Sequence, residues 1–152
     1  MELFFRDYFD HLHKLHGEIE LVLQDLPQGA LDWKPGEGMN SLGVLAFHVA
    51  GAERFWLGDV VAGESSNRNR EVEFYTQGVN AAELIDRLSA SLDFSRIVLE
   101  GLRLSDLHEL RASPRDGRQF SVGWVLNHTL EHIAIHLGHM QITRQFWEQK
   151  QA

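Results

Sequence analysis

Hydrophobic residues recur at alternating steps of three and four over most of the chain, in segments of helical length separated by polar or glycine-rich stretches. This spacing places the apolar side chains of each segment on one face of a helix. The first segment runs from Glu2 to Leu26 and ends at Pro27. Its apolar face consists of Phe5, Tyr8, Leu12, Leu15, Ile19, Val22 and Leu26.

Two further segments have the same periodicity. The second predicted helix runs from Ser41 to Gly63, after a glycine- and proline-containing loop over residues 30–40. A polar, turn-rich connection, Glu64–Gly78, follows it, and helical spacing returns from Asn80 to Gly101. A connection of this length can carry the chain along a bundle, so that two sequential helices run in parallel.

The end of the chain predicts a small hairpin followed by a long helix. Residues 102–120 place Pro114 and the pair Asp116-Gly117 between short extended pieces, a pattern typical of a turn or hairpin. Ser121 is a good N-cap for the last helix. The pattern therefore predicts an all-α protein: a single domain over residues 1–152, folded as a four-helix bundle with one long crossover connection.

Charge and composition limit the kinds of partner and of metal site that we expect. The chain has 22 acidic and 14 basic residues, a formal net charge of −8, and shows no basic stripe interleaved with aromatic residues. Such a surface repels a phosphate backbone, so we expect no nucleic-acid partner. The chain contains no cysteine. Any metal must therefore be held by histidine and carboxylate side chains, and the protein has no thiol nucleophile of its own.

The chain has no transmembrane or targeting signal that we recognise. No apolar run approaches the ~18 residues of a membrane-spanning helix, and the start, MELFFRDYFDH, is acidic where a signal peptide is basic and apolar. We therefore expect a cytoplasmic protein without a membrane partner.

The last helix contains a cluster of histidines. On a helical projection four of the nine histidines fall on one arc of about 80°: His128, His132, His136 and His139. Imidazoles four residues apart can reach one cation. The pairs His128/His132 and His132/His136 both have this spacing, so spacing leaves both open. Surface histidines or a pH-sensing cluster are the alternatives to a metal site.

A metal site of this kind needs a third ligand from a neighbouring helix. His48 lies on an apolar flank of the second helix, where a lone histidine is ordinarily a core residue, but it is the candidate that faces a histidine-rich helix. We expect Glu53 and Arg54, one turn later, to form an ion pair. The histidines of the first helix, expected at exposed or groove-edge positions, are His11, His13 and His16.

Two stretches carry a family resemblance. The segment SLGVLAFHVAGAERFWLGDVVAG, preceded by WKPGEGMNS, and the segment NHTLEHIAIHLGHMQITRQ resemble the DinB-like superfamily of metal-binding four-helix bundles, which includes thiol-dependent transferases and isomerases. The resemblance implies that one histidine of the second helix and two of an H-x-x-x-H on the last helix hold the metal. These are His48, His132 and His136. One branch also has a histidine at the position of His139, and often a carboxylate at that of His132.

Three imidazoles leave coordination positions open, as in catalytic sites. We expect Zn²⁺, with Ni²⁺ and Fe²⁺ as alternatives. The resemblance implies a low-molecular-weight thiol as second cofactor and a small-molecule substrate, and hence a metal-dependent thiol S-transferase or hydrolase, in a homodimer. The alternatives are a metal-binding stress-response module without turnover and a structural dimerisation module. In a purely structural bundle the face beside the histidines would be filled by side chains such as Phe47, Phe55 and Trp124.

Overall fold

The computed structural model describes residues 1–152 and shows the predicted bundle. Its helices are α1 (Leu3–Leu23), α2 (Gln28–Asp32), α3 (Leu42–Glu53), α4 (Arg70–Glu73), α5 (Ala81–Gly101) and α6 (Val122–Gln151). Helix α3 continues directly as a π-helix, Arg54–Ala62. A 3₁₀ turn, Leu104–His108, and an antiparallel pair of strands, β1 (Leu110–Ala112) and β2 (Gln119–Ser121), precede α6. The four long helices confirm the four-helix bundle.

The long helices are arranged so that α3 lies beside α6. Helix α1 packs against α5 and α6, and α3 packs against the same two helices, so α1 and α3 occupy opposite corners of the bundle. The connection from α3 to α5 crosses the bundle and contributes α4, which packs on α3. This order places the single histidine of α3 opposite the histidine-rich helix.

The core is built largely from the predicted apolar faces, although Leu31 comes from the predicted loop, and Leu15 and Leu26 of the first face are only partly buried. Each such buried side chain contributes about 1.5–3 kcal/mol relative to exposure. The largest buried side chains are Phe5, Leu12, Ile19, Leu23, Leu31, Leu42, Leu57, Leu84, Leu99, Leu126, Ile133 and Met140.

Three of the predicted helices begin with a side-chain cap. Ser41 accepts a hydrogen bond from the backbone N–H of Val44, Asn80 from that of Glu83, and Ser121 from that of Trp124. Each cap satisfies a backbone donor at the helix start, which is worth about 1 kcal/mol.

The structure corrects several boundaries. Helix α1 ends at Leu23 and not at Leu26, and Asp25 has a left-handed φ of 60°. The predicted loop over residues 30–40 begins inside α2, and the polar connection contains α4, whose N-cap Asn69 accepts a hydrogen bond from Val72 N–H. Single-turn helices of this kind leave no periodic pattern, because they are too short to repeat one.

The π-helical segment extends α3 to the predicted end. Gly63 terminates it with a left-handed φ of 72°, and its N–H donates to the carbonyl of Gly58. The side chain of Arg54 lies against Gly58, and a Cβ at residue 58 would collide with it. None of the helices has the combination of length and apolar character that crossing a membrane requires.

Candidate metal centre

Helices α3 and α6 bring three histidines together. His48, His132 and His136, hereafter the histidine triad, each offer one ring nitrogen, and these nitrogens lie within 4.8 Å of one another. Nε2 of His48 is 3.1 Å from Nε2 of His132. The rings of His132 and His136, one helical turn apart, have centroids 4.4 Å apart, and that of His48 is 5.0 Å from each.

The crossover connection holds the ring of His48 in place. Nδ1 of His48 lies 2.9 Å from Oε2 of Glu73 and donates its hydrogen bond there, which leaves Nε2 free to face the rest of the triad. Arg68 in turn donates to both carboxylate oxygens of Glu73, from Nε at 2.6 Å and from Nη2 at 2.8 Å. A carboxylate behind a histidine fixes its tautomer and orientation, as in many metal sites.

Glu73 reaches this position because residue 51 has no side chain. A Cβ at Gly51 would collide with the carboxylate of Glu73, so only glycine allows α4 to approach α3 this closely. Burial disfavours ionisation of Glu73, but the hydrogen bonds from Arg68 and His48, together with the charge of Arg68, outweigh it and hold the pKa of Glu73 below its usual range. The carboxylate is therefore charged while it orients His48.

The two triad histidines of α6, His132 and His136, are held in the neutral form, which is the form that binds metals. Burial disfavours the imidazolium, and nearby histidines disfavour it further, so that the pKa of His132 falls to about 3 and that of His136 to about 4. Nδ1 of His136 is buried and has no hydrogen-bond partner in the protein. Convergent neutral imidazoles, one of them with an unpaired buried nitrogen, fit a divalent cation.

These pKa shifts predict how acid affects the metal-free protein. Unfolded histidines take up protons near pH 6.5, whereas His132 and His136 in the folded protein do so only near 3 and 4. The unfolded state therefore binds more protons in between, and the free energy of unfolding should fall as the pH drops from 6.5 to 4. Urea unfolding at several pH values measures this. The double variant His132→Gln/His136→Gln should show a shallower dependence, and an unchanged slope would contradict the prediction.

A second prediction concerns Glu73. Replacing it by glutamine removes the charge that orients His48 while keeping the size of the side chain, and should lower metal affinity by about 10–100-fold. Competition with a chromophoric chelator measures the affinity. Glu71→Gln, in the same short helix but exposed, is the matched control and should leave affinity unchanged. Equal affinities of the two variants would show that Glu73 has no such role.

The other two histidines of α6 lie outside the triad. His128 stacks on Trp124, with ring centroids 4.7 Å apart and planes at 14°, and meets the ring of Trp56 edge-on. His139 is exposed, with its ring centroid 5.5 Å from that of His136. Of the two i, i+4 pairs that spacing left open, the structure places His132/His136 in the cluster with His48.

The face beside the triad is open. A cleft of about 310 Å³, hereafter the triad cleft, reaches His48 and His132. The aromatic residues that line it are Phe55, Trp56, Phe120 and Trp124. Phe55 and Trp124 thus form walls and do not fill the space, and Phe47 lines a different cavity, under the guanidinium of Arg87. The arrangement differs from that of a bundle whose histidines only pack.

Two expectations about other charged groups are wrong. His16 is buried and not exposed or at a groove edge, and its Nε2–H donates to Oε2 of Glu53 at 2.6 Å. Glu53 therefore does not pair with Arg54, which contacts Asp59 instead at 3.2 Å. Glu53 points into the bundle and Arg54 away from it, because adjacent helical residues do not face each other. His11 and His13 are exposed, as expected.

Sequence reasoning missed Glu73 and Arg68. Both lie in the polar connection, where an acid and a base among many carry no pattern that distinguishes them from solvated residues. Their role depends on the packing of α4 against Gly51, which only the folded chain shows.

The fold is that of DinB-like proteins. A DinB-like protein from Bacillus cereus is 17% identical, over 91% of this chain and 89% of that one, with a TM-score of 0.72. YfiT from Bacillus subtilis, a probable metal-dependent hydrolase with an unusual four-helix bundle topology, is 13% identical, over 92% and 87%, with a TM-score of 0.65. The mycothiol-dependent maleylpyruvate isomerase is 15% identical, and the match covers 88% of this chain but 59% of that longer chain, with a TM-score of 0.64.

The family follows from the sequence match. The profile of the mycothiol-S-transferase family matches residues 7–149, nearly the whole chain. The chain therefore belongs to the mycothiol-S-transferase family, within the DinB-like superfamily that the two histidine-bearing motifs predicted. No protein of curated function matches it significantly by sequence.

Proposed function

We propose that this protein is a divalent-metal-dependent S-transferase that joins a low-molecular-weight thiol to a small electrophile, with the metal held by His48, His132 and His136. The observation that carries the proposal is the convergence of three imidazoles beside an open cleft. Membership of the mycothiol-S-transferase family supports the reaction class. The description of YfiT as a probable metal-dependent hydrolase supports the dependence on a metal.

Each residue has a definite task in this proposal. The histidine triad would hold the cation, Zn²⁺ first and Ni²⁺ or Fe²⁺ as alternatives. When bound, such a metal supplies Lewis acidity that favours the deprotonated form of a thiol at neutral pH. Glu73 and Arg68 keep Nε2 of His48 directed at the site, and the aromatic walls of the cleft shield a bound substrate from water.

The thiol must come from outside the protein, because the chain contains no cysteine. The family name makes mycothiol the first thiol to test. The thiolate sulfur would form the new C–S bond. In a substitution the bond to the leaving group would break, and the leaving group would keep the electron pair and depart into the open cleft. In an addition the electron pair of the double bond would move onto the neighbouring part of the substrate, which would then take up the proton that the thiol had lost. The expected cytoplasmic location and homodimer remain predictions, and light scattering of the purified protein tests the dimer.

Metal content is the decisive measurement. Protein purified without a histidine tag should contain close to one equivalent of metal by elemental analysis, or take up one equivalent of Zn²⁺. The Co²⁺-substituted protein should then show thiolate-to-metal charge-transfer absorption when mycothiol is added, and conjugation of mycothiol to 1-chloro-2,4-dinitrobenzene should require the metal. Failure to bind Zn²⁺, Ni²⁺ or Fe²⁺ would overturn the proposal. Metal binding without a thiol signal would favour the non-catalytic metal-binding module.

A further inference from the structure

The triad cleft has an unusual charge. Its lining contains no aspartate or glutamate, although acidic residues outnumber basic ones by 22 to 14 in the chain as a whole. Four arginines line it: Arg68, Arg70, Arg115 and Arg118. A concentration of cations on a protein with a net charge of −8 is not expected from a randomly solvated surface.

Two separate segments supply these arginines. Arg68 and Arg70 come from the crossover connection, and Arg115 and Arg118 from the loop between β1 and β2. That loop is well anchored: Ser113 is buried, and its carbonyl accepts a hydrogen bond from Gly117 N–H at 2.8 Å. The fold therefore holds guanidinium groups from two segments around one cavity.

The carboxylates of the protein neutralise these arginines only in part. Arg68 is paired with Glu73, and Arg118 donates to Asp116 at 2.8 Å. The nearest acid to Arg115 is the same Asp116, at 3.8 Å, and Arg70 lies over the ring of Phe74 without an ion pair. Four cations thus share two carboxylates, which leaves an excess of two positive charges.

The arginines lie where a ligand could meet them and the triad together. A second cavity, of about 240 Å³, shares Arg68, Arg70 and Arg115 with the triad cleft, so these arginines lie between the two spaces. From the hairpin towards the triad the wall is a continuous aromatic stack. Phe120 stacks on Trp124 with centroids 4.4 Å apart, and Trp124 stacks on His128 at 4.7 Å. A planar or apolar body can pack on this wall while its anionic group faces the guanidiniums.

We propose that the triad cleft binds a small organic carboxylate, and that Arg115 and Arg118 determine this specificity. The inference deepens the proposed function, on which it rests: one of the two co-substrates, the thiol or the electrophile, carries a carboxylate that the arginines hold while its reacting atom lies towards the histidines. Arginine binds carboxylates through paired, charge-assisted hydrogen bonds, which gives orientation as well as affinity.

The test compares ligands that differ only in charge. Phenylacetate and phenylacetamide are titrated into metal-free and Zn²⁺-loaded protein, and binding is followed by the fluorescence of Trp56 and Trp124, which line the cleft. Phenylacetate should bind at least about 10-fold more tightly than the amide, in both forms of the protein, with an affinity that falls as salt is added. Glutathione and its diethyl ester make the same comparison for a thiol, so the two arms distinguish which co-substrate carries the carboxylate.

The variants identify the groups responsible. Arg115→Gln/Arg118→Gln should abolish the preference for the charged ligand while leaving metal content and thermal unfolding unchanged, because both side chains are largely exposed, at 51% and 64%. The matched control is Arg6→Gln/Arg96→Gln, which removes two exposed arginines from outside the cleft; Arg96 is also 51% exposed. This control should retain the preference.

The outcomes separate this inference from the proposed function. A preference in metal-free protein that Arg115→Gln/Arg118→Gln removes supports the carboxylate site, even if the protein binds no metal and the proposed function fails. If neither ligand pair shows a preference, or if the preference survives in Arg115→Gln/Arg118→Gln with or without Zn²⁺, the inference is overturned, while normal metal content leaves the proposed function intact.

Discussion

Alanine in place of His136 is expected to weaken Zn²⁺ binding by more than about 100-fold, because loss of a direct ligand should cost more than the 10–100-fold typical of a supporting residue. His136 offers one of the three ring nitrogens that lie within 4.8 Å of one another, and its Nδ1 is buried without a partner. His48→Ala should have a similar effect. Elemental analysis and chelator competition measure both variants.

The matched control is His139→Ala. His139 follows His136 on the same helix and is exposed, so its removal changes the number of histidines on α6 but not the triad. Zn²⁺ affinity should stay within about twofold of the wild type. If His136→Ala and His139→Ala bind Zn²⁺ equally well, the metal is held elsewhere or only by surface histidines, and the assignment of the triad fails.

Replacing Glu53 by alanine is expected to lower the free energy of unfolding by about 3–5 kcal/mol, because it leaves two buried hydrogen-bond donors without an acceptor, at about 1–3 kcal/mol each. Glu53 is 1% exposed and accepts hydrogen bonds from His16 Nε2–H and from Ser95 Oγ, each at 2.6 Å. These donors belong to α1 and α5, so the carboxylate joins three of the four long helices. Without it, both donors and a cavity remain in the core. Urea unfolding of the metal-free protein measures the effect.

Two controls isolate this role. Glu53→Gln keeps the size of the side chain and an acceptor oxygen, and should cost less than the alanine variant. Glu20→Ala, at an exposed position of α1, should change stability by no more than about 0.5 kcal/mol. Metal content of Glu53→Ala should be normal in the folded protein, since Glu53 does not contact the triad. A loss below about 1 kcal/mol would show that the network contributes little.

The two predictions concern different kinds of site, and helix α3 contributes a residue to each. His48 and Glu53 are five residues apart in the chain, and both are buried, yet one faces α6 and the other faces α1 and α5. Helix α3 thus contributes to two clusters of polar groups, one that lines the triad cleft and one that is buried in the core. Exposure to the cleft, and not burial alone, distinguishes the candidate functional histidine from the structural acid.

Periodicity alone was sufficient for the long helices. The recurrence of Leu84, Leu88 and Leu99 in α5, like that of Phe5, Leu12 and Ile19 in α1, marks a face that can be buried only against other helices, and Ser41, Asn80 and Ser121 mark where helices begin. These signals are local and repeated, so they can be recognised from the sequence alone. The approximate ends of α1, α3 and α5, and the small hairpin before α6, followed from proline, glycine and turn residues.

Spacing also placed four histidines on one face of α6, but it left two pairs open, and the family resemblance was needed to favour His132 and His136. A helical repeat shows which residues share a face of the helix, but it does not show which other helix packs against that face. The structure adds that neighbour: α3 lies beside α6, and His48 meets His132 and His136, whereas His128 stacks on Trp124.

What the sequence determined is therefore the set of helices, their buried faces and the supply of histidines, because each rests on contacts within a few residues along the chain. Tertiary structure decided which polar groups meet. Glu73 reaches His48 because Gly51 lets α4 approach, His16 pairs with Glu53 across the bundle, and arginines from two distant segments line one cleft. Such meetings depend on how the helices are arranged in space, and no local spacing in the sequence encodes them.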